Sequence, residues 1–228
     1  AIKSVEQAKQ LNNPDARVAL EDADDVDPLS KFAADCSGCL TSDGERFYRV
    51  YWEQVVSENW EFLQSTVSEK IHHDGRSQVI LWEKARGSLY QLAEAMKGTN
   101  HAVQNWRRGQ DVWGKKGVAI SSMGHLPATI YDGFHFDNNT ATVVPFESSH
   151  LPAIWCFCSS DEYNEAVRRL DQKLNVTNAT LVKVPFDLDH WTRIAEAKYP
   201  NGLPKSYTDD PTQWIFHGHP SGSVIWDE

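Results

Sequence analysis

The chain has 228 residues, with 22 Lys+Arg against 32 Asp+Glu, a formal net charge of -10 and a hydrophobic share of 40%. That length suits one large domain, or one domain with appendages, and the composition excludes wholesale disorder. No run approaches the roughly 20 consecutive apolar residues of a membrane helix, and no signal-type apolar stretch opens the chain. Neither a membrane protein nor a secreted precursor is expected. The opening Ala1-Ile2-Lys3 lacks an initiator Met and suggests a piece of something longer.

Residues 1–27 hold seven acids against Lys3, Lys9 and Arg17. They read as a solvated arm with one helix before Asn12-Asn13-Pro14. Residues 77–82 are β-branched and apolar and predict a buried strand. Residues 88–96 have the apolar spacing of a short helix, ended at Gly98. Short strands are expected at 117–121, 128–131 and 140–144, separated by turn residues such as Asp132-Gly133 and Asp137-Asn138-Asn139. Residues 151–157 and 161–170 predict two helices, with Ser159, Ser160 or Asp161 as the cap between them. A strand is expected at 180–184, then a helix from a cap at Asp189 through Ala197, stopped at Tyr199-Pro200-Asn201-Gly202. From Lys205 onward little regular pattern remains. The sum is an α+β chain (a mixed α/β pattern) with a central mixed sheet of short strands and flanking helices.

Four cysteines sit as Cys36-x-x-Cys39 and Cys156-x-Cys158. That density is too low for a disulfide scaffold. A structural zinc would need the pairs to meet across more than a hundred residues, even with His217-x-His219 as helpers. Buried thiols are the simpler reading, and reduced thiols point to the cytoplasm. No phosphate-binding loop, serine-nucleophile elbow or His-Glu-x-x-His helix is present. Glu196-Ala-Lys198 matches half of a nuclease motif but falls on an amphipathic helix. The acids at 21–27 lack the glycine and closing Glu of a calcium loop. His72-His73 beside Asp74 are adjacent residues that rarely converge on one site. No catalytic residues and no metal ligands are assigned.

Charge is uneven. Residues 76–116 contain eight basic residues against Glu83, Glu94 and Asp111, so the segment is +5 and the remainder -15. The overall charge therefore says little about this surface. Within it, Gln104-Asn-Trp-Arg-Arg-Gly-Gln-Asp-Val-Trp-Gly-Lys-Lys116 has the makings of a nucleic-acid contact. Arg107, Arg108, Lys115 and Lys116 can neutralise phosphates, with Lys84 and Arg86 upstream. Gln104, Asn105 and Gln110 can pair with adenine edges, while the tryptophans can either stack or pack. The competing reading is an exposed loop with its tryptophans anchored in the core. A second cluster, Arg168, Arg169, Lys173, Asn175 and Asn178, ends a helix in amides and cations, and taken by itself reads as helix C-capping and a strand start before it reads as a contact.

Thr41-Ser-Asp-Gly-Glu-Arg-Phe-Tyr-Arg49, followed by Tyr51-Trp-Glu53, resembles the "TGDN-x-x-F-x-R" stretch of large adenine-N6 DNA methyltransferases. These are the fused methylase-specificity chains of type IIG restriction-modification and BREX-like phage-exclusion systems. Gly114 to Tyr131 is similar to strands of their target-recognition domain. Leu174-Asn-Val-Thr-Asn-Ala-Thr180 and Val184-Pro-Phe186 are similar to its close. Lys198-Tyr-Pro-Asn-Gly-Leu-Pro204 and residues 207–220 resemble a C-terminal signature of one branch. The likeness runs over roughly 36–220. Ser42 and Gly44 depart from the first motif, and neither the Asn/Asp-Pro-Pro-Tyr/Phe loop nor the glycine-rich cofactor turn is found.

The resemblance implies a DNA-binding specificity region that is inactive alone. Its partners would be double-stranded DNA and the methylase domain of the parent chain, and S-adenosylmethionine would belong to that domain. The fourteen cations and amides named above, from Lys84 to Asn178, are the candidate DNA contacts. The division expected is an acidic arm at 1–35, a target-recognition domain at 36–190, and a C-terminal helix and tail at 191–228. The alternative is a protein-interaction module that docks on a methylase domain or partner subunit without binding DNA by itself.

Overall fold

The computed structural model describes residues 6, 8, 26–41, 43–53, 59–96, 98 and 105–205. Within these, the strands divide between two four-stranded sheets. The first has the order β1 (Ala33–Ser37), β8 (Thr140–Pro145), β5 (Gly117–Ser121) and β6 (Ala128–Tyr131), antiparallel throughout. The second has the order β2 (Tyr48–Val50), β4 (Gln78–Leu81), β3 (Trp60–Gln64) and β7 (His135–Phe136), in which only β3 and β7 run parallel. The helices are α1 (Gly44–Phe47), α2 (Ser88–Ala95), α3 (Leu151–Cys158), α4 (Asp161–Leu170) and α5 (Leu188–Lys198).

Successive side chains of a strand point to opposite faces, and the first sheet buries both. Val118 and Ile120, Ile130, and Ala141 and Val143 face the helical layer of α3, α4 and α5. Their neighbours Ala119, Tyr131 and Val144 face the other way, against Phe136 and Val112. An antiparallel sheet more often leaves one face to solvent, so these strands read as continuous apolar runs for a physical reason. Helix α3 lies in the middle of the helical layer, where Phe157 is fully buried against the rings of Tyr163, Phe186 and Trp191 at 5.1–5.2 Å. The second sheet packs Leu63, Ile80 and Trp82 on Phe47 and Leu89.

The α+β class holds, with two sheets in place of one central sheet. The predicted segments at 77–82, 88–96, 117–121, 128–131, 140–144, 151–157 and 161–170 form β4, α2, β5, β6, β8, α3 and α4. Ser160 is the cap between the two helices, its side chain accepting the Tyr163 amide at 3.1 Å. Residues 180–184 are not a strand: Asn178–Val182 winds as a 3-10 helix with Thr180, Leu181 and Val182 buried. The last helix is capped by Asp187, whose carboxylate accepts the His190 amide at 2.9 Å, and not by Asp189. The boundary after residue 35 cuts β1, which pairs with β8 along its length, and Leu29 upstream is fully buried. The boundary after residue 190 cuts α5, whose Trp191 packs in the main core. The helix expected before Asn12 and the tail from 206 lie outside the described residues.

Cys39, Cys156 and Cys158 are buried free thiols and Cys36 is partly buried. Burial pushes the Cys39 thiol up to about 11. Among the described residues no group of three or more His, Cys, Asp or Glu side chains could hold a metal, and no helix is long and apolar enough to cross a membrane.

Candidate nucleic-acid interface

The register of the first sheet brings Ser37, Ser121 and Thr140 to one end, because Ser37 pairs with Ala141 and Ser121 with Thr140. Three separate segments cover that end: the turn at 107–111, the β5–β6 turn at 122–127 and the loop at 171–178.

The 171–178 loop is held by side chains at its base. Asp171 is buried, and its two carboxylate oxygens accept the amides of Lys173 at 3.0 Å and Thr177 at 3.1 Å. Burial alone would raise this carboxyl, but those amides and the Lys173 charge leave it below the ordinary carboxylate value. The Arg168 guanidinium donates to the carbonyls of Lys173 and Gly124, the latter at 2.6 Å, tying the loop to the β5–β6 turn. The Val176 amide donates to Ser122 O at 2.9 Å, and Met123 bridges Asn175 in antiparallel fashion. Residues 172–175 remain exposed at the tip of this fixed frame.

The 107–111 turn is anchored as firmly. Gly109 has φ +92, and a Cβ there would meet the Phe136 ring at 2.6 Å. Only glycine allows this combination of left-handed backbone and close approach. The turn opens a pocket of about 480 Å3 lined by Cys36, Ser37 and residues 107–111. Asn178 reaches the same edge, its amide donating to Ser37 Oγ at 2.5 Å. Arg108 and Gln110, from one predicted cluster, and Asn178, from the other, thus meet around Ser37.

Arg107 lines the same pocket, but its guanidinium is engaged on α2. Its guanidinium pairs with Glu94, donates to Tyr90 Oη at 3.2 Å and lies 4.5 Å from that ring. It fastens the turn to α2. Gln110 donates to Arg107 O at 2.8 Å, and the Asn105 carbonyl accepts the Leu40 amide at 3.0 Å. The tryptophans pack instead of stacking outward: Trp106 tilts on Phe47 at 6.0 Å, and Trp113 lies 4.9 Å from Trp82. Gln104 is outside the described residues. Lys84 and Arg86 are exposed beyond β4, beside the start of α2. Arg169 is exposed and only loosely paired, at 4.0 Å, with Glu165.

Lys115 and Lys116 sit at the other end of the first sheet, roughly 13 Å of β5 away from Ser121. There Asp132 accepts from Arg76 at 3.3 Å and lies 3.4 Å from His73 Nδ1. Burial would raise Asp132, but the His73 hydrogen bond and the Arg76, His73 and Lys116 charges hold it below its ordinary value. Adjacent His72 turns elsewhere, to Tyr199 Oη at 2.8 Å. Glu196 and Lys198 are exposed on α5.

Sequence reasoning missed Ser37 as the meeting point, Asp171 and Arg168 as staples, and Met123 as an exposed neighbour of Asn175. The one signal in the sequence is the glycine at 124, a turn-forming residue, which the structure bends with φ +63.

No family model and no curated protein matches the chain. Among solved structures, a similar one is the Type IIL restriction-modification enzyme MmeI in complex with DNA, at 16% identity and a TM-score of 0.48. The match covers 85% of this chain and 32% of that one, so the chain spans about a third of that enzyme's length.

Proposed function

We propose that this chain is the DNA target-recognition region of an adenine-N6 DNA methyltransferase of the type IIG restriction-modification or BREX-like kind. The observation that carries the reading is the convergence at one sheet end: Arg108 and Gln110 from one segment, Lys173, Asn175 and Asn178 from another, in a chain of net charge -10. Cations on phosphates set register, and amides on base edges set sequence preference. A sheet buried on both faces supplies the rigidity that such readout needs. The resemblance over roughly 36–220 points the same way.

The sequence holds neither the Asn/Asp-Pro-Pro-Tyr/Phe loop nor the glycine-rich cofactor turn, so on this reading S-adenosylmethionine and the flipped adenine belong to a methylase domain of the parent. That domain is the second proposed partner, and the four thiols suit action in the cytoplasm. Phe146 is 64% exposed just past the β8 end that pairs with Ala33, opposite the candidate interface. An apolar contact there suits docking on the methylase, and docking alone is the competing function.

Fluorescence anisotropy on random-sequence duplex DNA, from about 50 to about 300 mM salt, separates the two. Log affinity should fall linearly with log salt. Arg108→Glu/Lys173→Glu should weaken binding and flatten the slope by about one unit per lost phosphate contact. No binding at low salt, or binding indifferent to both charge reversals, would count against DNA recognition.

A further inference from the structure

We infer that Asn175 and Met123 act as one base-reading pair that selects an A·T pair from the major groove. Asn175 would take adenine with its carboxamide, and Met123 would cover the adjoining thymine methyl. The inference rests on the DNA-recognition reading and adds the side chains and the chemistry that set its preference.

Met123 and Asn175 are antiparallel bridge partners, so their side chains share one face. Such partners hold their Cβ atoms about 4.5–5.5 Å apart. Both are exposed, Met123 at 46%, and no described residue hydrogen-bonds the Asn175 carboxamide. An unpaired amide is held beside a solvent-facing thioether on a backbone fixed by the Asp171 carboxylate, the Arg168 guanidinium and the Val176 amide. Neither loop needs ordering on binding, which removes a common cost of recognition.

The donor pattern of the bases then decides the partner. Adenine presents an N7 acceptor beside an N6 donor, the complement of a carboxamide, and its thymine adds the one methyl group in the groove. A G·C pair offers guanine's two acceptors, suited to Arg or Lys, and no methyl. Lys173, exposed two residues before Asn175, is placed for the flanking phosphate.

The test is to enrich binding sites for the 228-residue chain from a randomised duplex library. Affinity is then measured with each adenine of the selected site replaced singly by 7-deazaadenine and each thymine by uracil. At one adenine, loss of N7 should weaken the wild type by roughly 5- to 150-fold and leave Asn175→Ala unaffected. At one thymine, loss of the methyl should cost roughly two- to fivefold and leave Met123→Ala unaffected. Both side chains are exposed, so thermal melting of the variants should match the wild type. Variants that keep both sensitivities would overturn the inference while leaving DNA recognition standing. Binding without any enriched sequence would do the same. A chain that fails to bind duplex at low salt removes the DNA-recognition reading itself.

Discussion

Asp171 shows how one buried carboxylate can shape a surface. Removing it strands two amides, so Asp171→Ala should lower stability by about 1–3 kcal/mol, read from urea unfolding. Its carboxyl is depressed in the fold, so its contribution is present above the unfolded value near 3.8 and is lost as pH falls through the folded value. The stability gap between wild type and Asp171→Asn should therefore be wide near neutral pH and shrink as pH falls below about 3.8. Gly109 carries a second residue-scale prediction. Gly109→Ala meets both a positive φ and the Phe136 ring, and should cost more than about 1 kcal/mol, seen as a lowered Tm. Neither role was legible in the sequence: Asp171 becomes a staple only once the chain turns back on itself, and Gly109 only once Phe136 lies beneath it.

At the scale of elements, legibility followed punctuation. Strands β5, β6 and β8 are β-branched runs between turn residues, and α3 and α4 are separated by a serine cap, so each announces itself locally. Ser160→Ala should cost about 1 kcal/mol in thermal unfolding, since it strands the Tyr163 amide. Strand β1 reads Ala-Ala-Asp-Cys-Ser and has no intrinsic strand preference; five register pairs with β8 make it a strand. The apolar run at 180–184 failed for the opposite reason. Short buried segments look alike as strand or helix, and here packing against the core wound the run into a 3-10 turn.

Across the whole molecule, the types of candidate residue were legible and their grouping was not. Linear proximity put Arg107, Lys115 and Lys116 beside Arg108. Folding turns Arg107 inward to Glu94 and carries the lysines to the far end of the sheet. Asn178, seventy residues from Arg108 in sequence, arrives at the same edge through Ser37. If the Ser37 end faces DNA, Lys115→Ala/Lys116→Ala should leave the selected sequence unchanged and alter the salt slope less than Arg108→Glu/Lys173→Glu. Anisotropy on the same duplexes measures both effects. A like change from the far-end pair would mean that both ends of the sheet touch the backbone.

The staples of the 171–178 loop separate what must be inherited from what can vary. The side chains that hold the loop, Asp171 and Arg168, are not those at its tip, and they grip through backbone atoms that every residue type but proline supplies in full. Mutations at 172–175 can therefore accumulate without weakening the frame. A lineage built this way is free to try new vocabularies at its tip while its architecture stays fixed.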